Sequence, residues 1–299
     1  YVFWYGDILV PYAICGVLVF LFRKLSPKKL LIIGFLIVSV SSLIFLFFAM
    51  TLSSWPPEAY QDTLHGWKPT QDIITKEIAV LRDDWLTQLT HRIPSAIKSQ
   101  IFIFLIWTGW RAGGLMLVGM ALYKWGVLTA ERTKRFYQKL LGFGFIMGLP
   151  IVCYGIIRNF AAEWKLDYSM FMGSQFNYWG SLFIALAYIG TVMLVCKTSK
   201  MEKLTTPFAA VGRMALTNYL LQTFICTTIF YGHGFGLFGK VERTVQILIV
   251  IGIWIFQLLI SPIWLRYFRF GPAEWAWRSL TYFKIQPMRK GRIDETEGN

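Results

Sequence analysis

Hydrophobic residues in this chain run in long uninterrupted stretches: about Gly6 to Phe22, Leu30 to Met50, Gln100 to Leu122, Leu140 to Ile157, Phe176 to Cys196, Phe208 to Tyr231 and Val245 to Leu265. Stretches of about 17 to 25 residues, at a rise of 1.5 Å per residue, match the roughly 30 Å hydrocarbon thickness of a bilayer. Strands of a membrane barrel would alternate apolar and polar positions, which these do not. The pattern therefore predicts an all-α fold, a polytopic transmembrane bundle of about seven spanning helices within residues 1–265.

The polar positions between the stretches predict the rest. The longest connection, residues 51–99, contains Thr70, a candidate N-cap, followed by Ile74, Ile78, Leu81, Trp85 and Leu89 at three- and four-residue steps. Lys76, Asp83, Asp84 and Gln88 fall in other directions, so one amphipathic helix is expected, lying on the membrane or over the bundle as a lid or a simple shield. Residues 266–288 read as an interfacial segment in which Glu274 and Arg278 are spaced to pair one turn apart. Residues 289–299 are charged, lack apolar periodicity and are expected to be disordered.

Composition sharpens this picture. At 56% hydrophobic residues and 17% aromatic, the chain is too apolar for an ordinary soluble domain. Its net charge of +14 does not point to nucleic acid, because the basic residues form short runs between apolar stretches instead of one basic domain. Seven crossings place 19 of the 30 basic residues on one side: Arg23 to Lys29, Lys124 to Lys139, Lys197 to Lys203 and the tail from Arg266. Nine face the other side, and Arg111 and Arg213 fall within spans. The positive-inside rule then puts the tail in the cytoplasm, against anionic lipid headgroups, and the 51–99 loop outside. Counting back leaves Tyr1 outside, so the chain is expected to be a fragment preceded by an odd number of helices. The four cysteines lie inside apolar stretches without metal-ligand spacing, and oligomeric state is not readable.

Arg111 is the sharpest single candidate. It sits mid-span in Thr108-Gly109-Trp110-Arg111-Ala112-Gly113-Gly114, where a lipid-facing guanidinium costs about 2.5 to 3.5 kcal/mol on insertion scales. A polar interior partner is expected for it. The sixth stretch, Gly212-Arg213-Met214-Ala215-Leu216-Thr217-Asn218-Tyr219-Leu220-Leu221-Gln222, is the most polar span. Asn218 and Gln222 share one face, either to bind a ligand or to cross-link helices, while Arg213 either snorkels to headgroups or holds a phosphate. Gln257 and Ser261 are further inward-facing candidates. His233, in the glycine-rich turn after this span, is a candidate general base, and Asp7 a candidate ion-pair partner of Arg158. Walker, dinucleotide, zincin and nucleophile-elbow motifs are absent, and no cofactor or metal is evident.

Three runs carry a resemblance: Trp4-Tyr5-Gly6-Asp7-Ile8-Leu9, the run from Gly212 to Gln222 in the sixth stretch, and Phe270-Gly271-Pro272 with Glu274-Trp275, Arg278 and Leu280-Thr281-Tyr282. They resemble the YeiB-like family of bacterial inner-membrane proteins, domain of unknown function 418. That family is distantly similar to multi-pass acyltransferases, which move an acyl group from a cytoplasmic thioester to an extracytoplasmic sugar or lipid. The resemblance implies acyl-coenzyme A as donor and helices before Tyr1 that hold much of the reaction centre, so no catalytic residue carries over. From the residues themselves, a transporter for a small anion, with Arg111 as counter-charge, stands as the alternative, beside a scaffold without turnover.

Overall fold

The computed structural model describes residues 4, 6–198 and 201–290, save the side chain of Ser99. Tyr1, Tyr5, Lys200 and the tail from Gly291 onward, including most of the segment expected to be disordered, lie outside the described residues. The described residues are helical throughout, apart from turns and one isolated bridge.

The chain divides into two compact units. Among the described residues, the first comprises 6–75 and 92–197. Its membrane core contains α1 (Leu9–Phe20), α2 (Pro27–Thr51), α6 (Gly109–Lys124), α7 (Lys134–Ala161) and α9 (Ser174–Cys196). Peripheral to these is α3 (Pro57–Trp67). Two π-helical segments interrupt the spans: Ser99–Thr108 leads into α6, and Ser169–Gly173 joins the short α8 (Leu166–Tyr168) to α9. Pro27 at the first turn starts α2, and the Thr133 hydroxyl accepts from the Phe136 N–H at 3.3 Å to start α7.

Lipid tails provide no hydrophobic drive for helix association, so the spans join through small residues. A Cβ on Gly114 would lie 2.7 Å from the Gly34 carbonyl, so α2 and α6 meet backbone to backbone. The α7–α9 pair is closer still along Gly144, Gly148, Ala187 and Gly190, where a Cβ on Gly144 would meet the Phe183 carbonyl.

Among the described residues, the second unit comprises Trp4 and residues 76–91, 198 and 201–290. It contains α10 (Glu202–Arg213), α11 (Ala215–Phe230), α12 (Arg243–Tyr267) and α13 (Pro272–Thr281). α4 (Gln71–Arg82) and α5 (Trp85–Lys98) each run across the boundary between units.

Among the described residues, five helical stretches are long and apolar enough to cross a membrane, and two shorter apolar helices, Leu9–Phe20 and Ala215–Phe230, bring the apolar helices to the expected seven. The sixth stretch differs from expectation. It breaks at Met214, whose φ of −112° and ψ of 31° end α10, so Arg213 closes an amphipathic helix and does not lie within a span.

The single amphipathic helix expected from Ile74 to Leu89 is likewise two helices. The Asp84 carboxylate accepts the Thr87 N–H at 2.7 Å and starts α5 afresh. That bond holds the Asp84 carboxyl below its ordinary range. Leu81 is buried as its period required, but in α5 it is Gln88, Arg92 and Ala96 that are fully buried while Leu86 is exposed. At the other end, Arg289 and Lys290 are paired and not free: Arg289 bridges to Phe268, and the Lys290 N–H donates to the Tyr267 carbonyl.

Candidate functional site

In the first unit, a register shift through the π-helical segment delivers α6 with Arg111 half-buried against α9. Its Nη1 donates to the Tyr178 carbonyl at 3.1 Å and its Nη2 to Ser181 Oγ at 3.0 Å. The guanidinium also lies 4.1 Å from the centroid of the Tyr178 ring, a cation–π geometry. All these partners are neutral: among the described residues no carboxylate pairs with Arg111. Among the described residues, two of its five N–H donors are engaged, which leaves capacity for an anionic or carbonyl oxygen.

Tyr178 is itself fixed. Its hydroxyl donates to the Val38 carbonyl at 2.6 Å and lies 2.5 Å from Ser41 Oγ. Beside it, Ser42 Oγ donates to Gln175 Oε1 at 2.5 Å and accepts from Trp179 Nε1 at 3.0 Å. Ser41, Ser42, Gln175 and Tyr178 are all buried. Sequence reasoning passed over this cluster. Its signal was the pair Ser41-Ser42 inside an otherwise apolar run, facing a stretch that holds Gln175 and Tyr178.

Two apolar cavities belong to the same unit. One, of about 250 Å³, is lined by Cys15, Leu18, Phe22, Phe104, Trp110 and Leu117. The other, of about 440 Å³, lies against Phe45, Phe48, Trp55, Ala59, Phe102 and Phe171. Aromatic contacts link the second to Arg111, because Trp107 packs 4.9 Å from Tyr178 and 4.4 Å from Phe45. Adjacent to it, a more polar cavity of about 550 Å³ has Trp55, Tyr60, Gln61 and Asp167 in its wall.

In the second unit, Asn218 and Gln222 come together as their spacing required. Asn218 Nδ2 donates to Ser261 Oγ at 3.1 Å and to the Val211 carbonyl at 3.2 Å. Gln222 Nε2 donates to Gln257 Oε1 at 2.8 Å, and Gln257 Nε2 donates to the Asn218 carbonyl at 2.9 Å. The network thus ties α11 to α12, and the expected inward direction of Gln257 and Ser261 corresponds to their burial.

The helix break at Met214 has a cause in α13. Glu274 Oε1 accepts the Thr217 N–H at 3.0 Å and its Oε2 accepts the Thr217 hydroxyl at 2.5 Å, while Thr217 Oγ1 accepts the Ala273 N–H at 3.0 Å. A carboxylate thereby caps the positive end of α11. Glu274 does not pair with Arg278, which lies over the Phe270 ring at 4.5 Å. Arg213 is exposed, and its Nη2 donates to the Arg269 carbonyl at 3.4 Å.

The remaining candidates stand apart. His233 is exposed and packs edge-on to Trp85 at 4.8 Å, in a turn held by the Gly232 N–H donating to the Leu81 carbonyl at 3.0 Å. Arg82 Nε donates to the Phe238 carbonyl at 2.7 Å in the same turn. Asp7 accepts the Leu9 N–H at 2.8 Å and starts α1, whereas Arg158 lies 5.8 Å from the Tyr168 ring, so each has a partner other than the other. The residue that the sequence reading missed most completely is Arg92, a fully buried cation on α5. Among the described residues, no three His, Cys, Asp or Glu side chains cluster as metal ligands.

Residues 122–284 match the family profile described as "Protein of unknown function (DUF418)". The chain is 32% identical over 289 residues to "Uncharacterized protein YeiB" of Escherichia coli K12, covering 93% of this chain and 70% of that protein. It is 30% identical over 302 residues to "Uncharacterized protein YxaH" of Bacillus subtilis 168, covering 97% of this chain and 69% of the relative. A shorter similarity, 36% over 101 residues, joins 34% of this chain to 29% of an "Uncharacterized 39.9 kDa protein in amylase 3'region" of Bacillus acidopullulyticus. No solved structure matches.

Proposed function

This chain belongs to the DUF418 family, and on that premise we propose that it forms part of a membrane acyltransferase. The observation that supports this reading is the combination of a guanidinium, Arg111, held by neutral partners only, with apolar cavities of about 250 and 440 Å³ in the same unit. An acyl thioester has both a hydrocarbon chain and a carbonyl oxygen that gains negative charge as it is attacked. The cavities suit the chain and Arg111 suits the oxygen, a preorganised donor in a low-dielectric setting. Arg213, exposed at the end of α10, serves a phosphate-bearing donor such as acyl-coenzyme A independently of Arg111. Asn218 and Gln222 act in this reading as the cross-link that holds α11 to α12.

The protein lies in the bacterial inner membrane with residues 266–290 in the cytoplasm, by the basic-residue asymmetry. A fluorescent reporter fused after Lys290 is expected to be bright and an alkaline phosphatase fusion there inactive; the opposite pattern would invert the proposal.

A permease for a small anion is the second reading, favoured by the lack of a carboxylate beside Arg111 among the described residues. A small anion has no use for the apolar cavities, which puts transfer first. Thermal-shift screening of purified protein separates the two, since a ligand of the folded state raises Tm by mass action. Stabilisation by acyl-coenzyme A, lost in Arg111→Ala, supports transfer. Stabilisation by small anions alone supports transport and removes the acyl reading.

A further inference from the structure

The polar cavity of about 550 Å³ and the apolar one of about 440 Å³ share a wall, the Trp55 indole. They also share α3, whose successive residues Ala59 and Tyr60 line the apolar and the polar cavity respectively. Each falls within the size range of ligand sites. Lying on either side of one residue, they offer a hydrocarbon half and a polar half, the division that an amphiphile carries within itself.

The polar half has a defined electrostatic sign. Asp167 alone among its lining residues carries a charge at neutral pH. Its Oδ1 accepts the Tyr60 hydroxyl at 2.9 Å, which orients the carboxylate and pushes the phenol above its ordinary pKa. The Lys165 ammonium, close in sequence but not in the cavity wall, is paired with Glu163 at 3.3 Å. An anionic headgroup would meet a carboxylate without a compensating cation in the cavity wall. A cation would meet that carboxylate together with the aromatic side chains of Trp55 and Tyr60, the kind of surroundings in which ammonium groups are recognised.

The apolar half is equally defined. Trp55 packs edge-on to Phe48 at 5.6 Å and to Phe171 at 5.9 Å. Its indole Nε1 donates to Thr51 Oγ1 at 3.3 Å, which fixes the ring that both cavities lie against.

We propose that these adjoining cavities form a binding site for an ammonium-headed amphiphile, with the hydrocarbon chain beside Phe45, Phe48 and Phe171 and the cation beside Asp167, Trp55 and Tyr60. The site names the chemistry of a second substrate and rests on the transfer reading only for that role, not for binding itself.

The test uses full-length protein in nanodiscs and radiolabelled dodecyltrimethylammonium below its micelle concentration, with empty nanodiscs subtracted. Saturable binding of one probe per chain is expected. Dodecyl maltoside, which shares the chain, and tetramethylammonium, which shares the head, should each compete at least about tenfold more weakly. Asp167→Asn should weaken binding by about tenfold or more, and Ala59→Trp should block the chain. Because Asp167→Asn removes a hydrogen bond and could disturb folding, Ser53→Lys is the second variant. It places a cation in the polar cavity without removing a contact there, and should abolish binding. Asp72→Asn, a surface charge change on α4, should leave binding unchanged. The proposal is overturned if no saturable binding exceeds empty nanodiscs, if Ser53→Lys or Ala59→Trp binds as wild type does, or if dodecyl maltoside competes equally. Failure here with intact acyl-coenzyme A stabilisation would leave the transfer reading standing, and the reverse result would leave this site standing without it.

Discussion

Arg111 illustrates how a charge survives inside a membrane protein without an opposite charge. A carbonyl, a hydroxyl and an aromatic face hold the guanidinium. The face belongs to Tyr178, 1% exposed, whose hydroxyl is bonded to α2. Hydrogen bonds between membrane helices average only about 0.6 kcal/mol, because the unfolded state in lipid also finds partners. Tyr178→Phe, however, removes the hydroxyl that the Val38 carbonyl and Ser41 share in a buried site and leaves them only their own 3.5 Å bond, which adds a desolvation cost. We expect a loss of about 1 to 2 kcal/mol in reversible unfolding in mixed micelles; wild-type stability in that variant would mean that the cluster contributes little. Arg111→Lys should lose the paired donation to Tyr178 and Ser181, since an ammonium cannot reproduce the planar fork. Acyl-coenzyme A stabilisation should therefore fall in the lysine variant nearly as far as in Arg111→Ala.

At the scale of elements, two breaks set the geometry, and each has a carboxylate at the new helix start. Asp84 starts α5 and Glu274 caps α11 from a different helix. In Glu274→Ala, Thr217 loses both acceptors, and a cap of this kind is worth about 0.5 to 2 kcal/mol. The expected result is a lower unfolding midpoint with faster amide exchange confined to the first turn of α11. Uniform exchange across α11 would argue that the break has another cause.

The Asp84 carboxyl is held below its ordinary value of 3.8 by the Thr87 N–H, so its contribution is present above that value and is lost as pH falls through the lower folded value. Protection of the first α5 amides should decline in that acid window in the wild type and show no such step in Asp84→Asn. The helix pairs are set by absence of side chains. Gly114→Leu would drive a side chain into Val38 and the Gly34 backbone, and should prevent α2 from joining α6 at all.

For the whole molecule, the outward surface is the evidence for its surroundings. Val17, Leu21, Ile32, Met50, Ile146 and Trp254 all have more than half of their surface exposed, an arrangement that water would penalise and hydrocarbon tolerates. Trp254 lies midway along α12. In a variant retaining only that tryptophan, lipids brominated along their acyl chains are expected to quench its fluorescence strongly, and aqueous iodide hardly at all. Strong iodide quenching would place α12 outside the hydrocarbon.

What the sequence determined by itself was the class of environment and the helices that answer to it. Runs of about 17 to 25 apolar residues admit few structures in lipid, because every backbone polar group there must be satisfied within its own segment. The same reasoning marked Arg111 and paired Asn218 with Gln222, since one helical turn is a local relation. Tertiary structure alone decided what each polar group meets. The Met214 break depends on Glu274, distant in sequence but adjacent in space, and the support of Arg111 depends on Ser41 and Tyr178 on other helices. The burial of Gln88 and Arg92 runs against the apolar period of their helix, because in α5 the polar face is the one covered by protein. Periodicity reports that two faces differ. Which face is covered by protein and which by lipid is a property of the packed molecule, because hydrocarbon and a protein core are nearly equivalent surroundings for a leucine and very different ones for an arginine.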